Sequence, residues 1–256
     1  MKFALVNGQR EEAQPHLSGR CPACESSLVA RCGEVRVRHW AHKGRFLCER
    51  WWEPETEWHR AWKDHFPVDW QEIVHRAAND QRHIADVKTD DGWVIEFQHS
   101  YLKPDERRSR EAFYPKLVWV VDGTRRKRDR TQLGNAWRDG VAVRGNPLVR
   151  KVYLDDCRLL QEWAGGMAPS FFDLGEPESL WWLVAKTTTG WAYLLRYPRA
   201  KFIEFHRNTG TEVTRKFDAV VVAALKMIAG YESPLRAPLS GQIPAQPRRI
   251  RRHFRF

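Results

Sequence analysis

Residues 82–100 read RHIADVKTDDGWVIEFQHS, and the parity of a single turn decides what they can build. Two short runs of alternating residues flank DDG, the pattern of a hairpin whose side chains point in turn to the two faces of a sheet. With a three-residue loop and Gly92 in the left-handed conformation, Thr89 pairs with Trp93. Counting back, Lys88 meets Val94, Val87 meets Ile95, and Asp86 meets Glu96. A two-residue loop at Asp91 and Gly92 pairs Val87 with Glu96 instead and sends Asp86 to the opposite face. The first register gathers Ala85, Val87, Ile95 and Phe97 on one buried face, so it is the expected one.

Two carboxylates facing each other across a sheet repel and do nothing for folding. A divalent cation removes that penalty and turns Asp86 and Glu96 into ligands for Mg²⁺ or Mn²⁺, which prefer oxygen donors. Gln98 points to the same side and can hold a water or a phosphate oxygen through its amide. Such a trio suits attack of an activated water on a phosphodiester. A solvated polar sheet face is the alternative.

The hairpin sits within an α/β order. Trp58, Ala61, Trp62, His65 and Phe66 recur at helical spacing, with Pro54 suiting the first turn and Pro67 as the stop. WQEIVHR reads as a strand, PDERRSREAFYP as a helix between prolines, and KLVWVVDG as a buried strand. Upstream, Asn7-Gly8 marks a hairpin over residues 3–13. Downstream, GTRRKRDR is a basic run that reads either as a solvated loop or as a contact to a phosphate backbone. Several strands are expected over 180–206, a helix closed by Gly230, and poor order in the basic tail.

CPAC places Cys21 and Cys24 two apart, and HWAH adds His39 and His42, four donors that suit a closed tetrahedral Zn²⁺ site. Cys32 and Cys48 compete for the same role. With 43 Lys+Arg against 32 Asp+Glu, the net charge of +11 favours a polyanionic partner, nucleic acid first. RVRHWAHKGR interleaves cations with an aromatic, a pattern suited to DNA contact. There is no apolar run of membrane-spanning length, and MKFALVNGQREEA lacks the charged-then-apolar order of a signal peptide. A cytoplasmic protein is expected.

The arrangement D-x₉-E-x-Q on a hairpin resembles the core of PD-(D/E)XK nucleases, with Gln98 where most of them carry Lys. CPAC and HWAH, then ETEWHRAWK, HIADV and IEFQHS, followed by an Arg- and Tyr-bearing helix and LVWVVD, are together similar to the competence protein CoiA-like nuclease family. The likeness covers about residues 1–123. It implies a restriction-endonuclease-like α/β core, metal-dependent cleavage of DNA, and a role in DNA uptake or recombination alongside competence or recombination proteins. Carried onto this sequence, Asp86 and Glu96 match the metal-binding acids, Gln98 the usual lysine, and Glu57 the acid contributed by the first helix. Glu57 is equally readable as an exposed acid favouring the helix N-terminus, and Glu72 is a weaker candidate. His59 is a candidate phosphate contact, though a histidine among apolar neighbours also packs as core. Arg107, Arg110 and Tyr114 lie one turn apart and are candidates for a nucleic-acid-binding edge.

The expected layout is an N-terminal β-hairpin and zinc-binding module (1–50), a PD-(D/E)XK core (51–123), a C-terminal α+β extension (124–233) and a basic tail (234–256). Function is expected to be a Mg²⁺- or Mn²⁺-dependent deoxyribonuclease acting on single- or double-stranded DNA. The competing expectation is a DNA-binding recombination or competence factor with weak or no catalysis on the same fold.

Overall fold

The alternation and turn signals build a mixed α/β protein with two sheets, seen in a computed structural model that describes residues 1–44, 51, 53–76, 82–143, 145–187, 189–207 and 216–232. Cys48, expected as a competing zinc ligand, and the tail 234–256, for which poor order was expected, lie outside the described residues.

The first sheet is antiparallel, in the order β2-β1-β3-β4-β5, from β1 (Phe3–Val6), β2 (Gln9–Glu12), β3 (Ser18–Arg20), β4 (Ser27–Arg31) and β5 (His39–His42). Asn7 and Gly8 at φ 51° and 83° make the tight primed turn that matches the twist of the β1–β2 hairpin. Ala4, Cys21, Leu28 and Trp40 form a small core, and Val74 and Ile84 of the second sheet pack against it.

The second sheet has nine strands. It begins with α1 (Glu57–Lys63), then the antiparallel β6 (Gln71–Arg76), β7 (Arg82–Lys88) and β8 (Val94–Gln98). The helix α2 (Pro104–Phe113) crosses over, and β9 (Leu117–Asp122) returns parallel to β8. Every residue of LVWVVD is buried, as a strand covered on both faces requires. Then come α3 (Lys127–Asp139), β10 (Val141–Val143), β11 (Asn146–Tyr153), α4 (Arg158–Trp163), β12 (Ser170–Asp173), β13 (Ser179–Lys186), β14 (Trp191–Pro198), α5 (Arg199–Arg207) and α6 (Phe217–Glu232).

Residues 124–233 do not form a separate layer. β12 pairs parallel with β9, so the boundary drawn at 123/124 falls inside one sheet of order β10-β11-β14-β13-β12-β9-β8-β7-β6. One face buries Trp119, Leu133, Leu160 and Trp163. The other buries Trp62, Phe97, Val120, Phe171, Trp182, Phe202 and Phe217.

The first helix is shorter than its apolar spacing predicts. Thr56 caps it, its hydroxyl accepting from His59 N–H while His59 Nδ1 accepts from Thr56 N–H. This reciprocal pair fixes the start at Glu57 rather than at Pro54. Among the described residues no helix is long and apolar enough to cross a membrane.

Candidate functional site

The turn at DDG takes the odd form. Thr89 N–H donates to Trp93 O and Gly92 N–H to Thr89 O, both at 2.9 Å, and Gly92 has φ 81°. Lys88 pairs with Val94 and Val87 with Ile95, the register that would set Asp86 against Glu96 as the next pair. There the ladder ends. Instead of continuing the pairing, Phe97 N–H donates to Asp86 Oδ2 at 3.0 Å, so β7 and β8 part with the carboxylate wedged between them. The parting opens a cleft of about 60 Å³, room for a few water-sized groups and too small for a nucleobase.

Lys63 of α1 enters this cleft and is the centre of its charge. Its Nζ lies 3.0 Å from Asp86 Oδ1, 3.1 Å from Glu72 Oε1 and 3.2 Å from Glu55 Oε2. Burial alone would push the ammonium down, but Asp86, Glu72 and Glu55 outweigh it and hold Lys63 well above its ordinary value. Glu72 takes two further hydrogen bonds, from Lys2 N–H at 2.6 Å and Phe3 N–H at 2.9 Å, so the first strand of the N-terminal sheet fixes a cleft acid. Burial opposes its ionisation. Lys63, the chain's amino terminus and those two amides prevail and bring its pKa to about 2.

Glu53 forms a second cluster. Its Oε2 accepts from Gln98 Nε2 at 2.8 Å and lies 3.8 Å from His59 Nε2, while Ser100 N–H donates to its other oxygen. Burial pushes His59 down, yet Glu53 and Asp86 hold it above its ordinary value, and His59 in turn holds Glu53 below its own. Gln98 is thus buried and reaches the cleft through Glu53 rather than by facing it. Glu96 is buried and accepts from Arg110 Nη1 at 3.2 Å.

Several expected residues sit elsewhere. Glu57 is exposed and does not line the cleft; Glu53 and Glu55, just before the helix, do. Arg107, Arg110 and Tyr114 do not present an edge for nucleic acid, since all three are buried. Arg107 donates to Glu162 O at 2.7 Å, and Arg110 divides its guanidinium among Glu96, Glu106 and Trp51 O. His99 lies on the face of Phe97, as alternation requires, with Nδ1 2.7 Å from Asp122 Oδ2. Lys63, Glu55 and Glu53 were the cleft residues that sequence reading missed. The spacing Glu55-x₃-His59-x₃-Lys63 was the available signal, because four-residue steps put His59 and Lys63 on one helix face.

The Cys/His module holds a second site. Cys21, Cys24 and His42 bring their ligand atoms within 4.8 Å of one another, the only such group of three among the described residues, and this cluster can bind a metal such as zinc. Cys24 Sγ is 3.4 Å from His42 Nε2. His39 does not join it. HWAH is a strand, and residues three apart on a strand face opposite sides; His39 turns away with its Nδ1 at Val37 O.

Comparison with protein-family models, with curated proteins and with solved structures finds no match.

Proposed function

We propose that this chain is a divalent-metal-dependent nuclease that hydrolyses phosphodiester bonds of DNA, on a PD-(D/E)XK-type core akin to that of CoiA-like proteins. The observation that carries the reading is the parting of β7 and β8 at Asp86 and Glu96, with Lys63 held 3.0 Å from Asp86. The order α1-β6-β7-β8-α2-β9, with β8 and β9 parallel, is in keeping with such a core.

The donor set fits a hard cation. The Lys63 ammonium already sits among three carboxylates, and carboxylate oxygens are the donors that Mg²⁺ and Mn²⁺ select. Asp86 and Glu96 would hold the ion. When bound, it supplies positive charge and an acidified water for hydrolysis. The chain's own groups supply the rest. Lys63 brings the fixed positive charge that Gln98 cannot, aimed at the charge that develops on the phosphoryl group. Gln98 orients Glu53, and Glu53 with the Thr56 cap locks the His59 ring at the cleft wall. Zn²⁺ on Cys21, Cys24 and His42 would be structural.

A second reading, a DNA-binding recombination factor that does not cut, is favoured by the pairing of Glu96 with Arg110 and of Asp86 with Lys63, which neutralises each acid internally. Labelled single- and double-stranded DNA incubated with Mg²⁺ or Mn²⁺ separates the two. The wild type is expected to cut and Asp86→Ala to lose at least about a hundredfold in rate. Cutting that survives Asp86→Ala sinks the assignment of the cleft. A wild type that binds DNA without cutting it leaves the second reading.

A further inference from the structure

The β4–β5 hairpin divides its residues by face. Leu28, Ala30, Trp40 and His42 share the inner side, toward the small core and the metal cluster, whereas Arg31 stands opposite His39 on the outer side. Between the strands, the loop 32–38 projects Val35 at 97% exposure, flanked by the exposed Arg31, Arg36 and Arg38. A groove of about 330 Å³ runs along this tip, lined by Arg31, Val35, Arg36 and His39, with Glu34 as its one acid. Among the described residues neither Arg31 nor Arg36 makes an ion pair, in contrast to Arg60, Arg110 and Arg126, which are all engaged.

The arm is also tied to the cleft. Arg60 of α1 donates to Arg38 O at the base of the loop and to Glu12 Oε2 at 3.0 Å. Arg60 is adjacent to His59 and three residues before Lys63, so the arm is moored to the helix that furnishes both cleft groups.

We propose that this arm, residues 31–43, is a docking surface for duplex DNA, with Arg31, Arg36 and Arg38 on backbone phosphates flanking a groove and Val35 entering it. Unpaired arginines release counterions when they meet phosphates, and an apolar tip between them is the form a groove-entering wedge takes. His39, kept out of the metal cluster by strand alternation, lays its ring along the same face, its Nδ1–H spent on Val37 O. The choice of DNA as partner rests on the nuclease reading, but the contact itself is a binding event and is read without cutting.

The test is fluorescence anisotropy of a short labelled duplex over a range of salt, with the full chain carrying Asp86→Ala throughout so that no cleavage intervenes. Arg31→Gln, Arg36→Gln and Arg38→Gln together are expected to weaken binding about tenfold or more. They should also flatten the dependence of log affinity on log salt by about 2–3, at roughly 0.9 per phosphate contact. Val35→Ser should weaken duplex binding and leave single-strand binding unchanged. A charge-matched control, Lys127→Gln, Arg128→Gln and Arg130→Gln on the exposed face of α3, should change either quantity much less. All variants should keep the wild-type metal content, which shows that the module still folds. An arm variant with unaltered affinity and slope overturns the proposal, and so does a control that weakens binding as much as the arm does. Arm-dependent binding by a chain whose unsubstituted form cuts nothing keeps the arm and removes the nuclease.

Discussion

Glu72 has φ 49°, the left-handed region that a non-glycine residue occupies at a cost of about 1–3 kcal/mol. The strain aims its carboxylate away from the sheet ladder and toward the amides of Lys2 and Phe3 on one side and Lys63 on the other. A carboxylate so held is a pH-dependent source of stability. Its folded-state pKa, about 2, lies below the ordinary 4.5, so its contribution is complete above about 4.5 and fades as pH falls toward 2. Glu72→Gln should lower thermal stability at neutral pH by about 1–3 kcal/mol, the cost of charge-assisted bonds to buried donors. It should also flatten the acid limb of the curve between those two pH values. Melting temperatures of both proteins from pH 7 to pH 2 measure this, and two parallel curves would show that Glu72 carries no such linkage.

The helix α1 owes its placement to a strand far along the chain. Asp173, at the end of β12, accepts from Trp58 Nε1 at 3.0 Å, from Trp62 Nε1 at 2.9 Å, from Gly175 N–H at 2.9 Å and from the Arg199 guanidinium. Arg199 also lies over the Trp62 ring, 4.6 Å from its guanidinium carbon. The C-terminal strands therefore moor the helix that carries His59 and Lys63. Asp173→Ala strands the buried Trp62 indole N–H, the half-buried Trp58 indole N–H and a guanidinium and is expected to cost about 3–5 kcal/mol, whereas Asp173→Asn keeps one acceptor and costs less. Urea denaturation compares them, and a loss under about 1 kcal/mol for the alanine variant would remove the mooring role. The two elements differ in how legible they are. The β7–β8 register follows from period-two alternation and one glycine turn, both local, and so the pairing of Val87 with Ile95 and Lys88 with Val94 was readable from nineteen letters, whereas the end of the ladder at Asp86 was not. The partners of α1 are set by pairings across more than a hundred residues, which no spacing encodes. HWAH failed for a related reason: three-residue spacing joins two histidines on a helix and separates them on a strand. The buried Arg107 and Arg110 looked solvent-facing because nothing in α2 itself announces that α4 will cover Arg107 or that Trp51 and Glu96 will engage Arg110.

At the scale of the whole molecule, the metal cluster and the cleft belong to one mechanical unit. Ala23, between the two knuckle cysteines, accepts from Arg82 Nη1 at 2.8 Å through its carbonyl, and Arg82 opens β7, the strand that carries Asp86. On the other side of the module, β1 and the residue before it supply both amides to Glu72, and Arg10 of β2 donates to Gln71 O at 2.6 Å. In a small sheet with so little core of its own, a metal on Cys21, Cys24 and His42 would hold these contacts in place. Purified protein is therefore expected to carry about one equivalent of zinc per chain. Stripping it with a thiol-competent chelator, followed by dialysis and return of Mg²⁺, should lower the melting temperature and, on the nuclease reading proposed above, the rate of DNA cutting, although no cleft acid has been altered. Returning Zn²⁺ should restore both. Cys24→Ser should reproduce the stripped state without any chelator, separating loss of the Cys/His site from the removal of any ion that the cleft acids would hold on the nuclease reading. Full-rate cutting by a zinc-free chain would mean that Lys2, Phe3 and Arg82 keep their places without the metal, and that the module and the cleft merely adjoin.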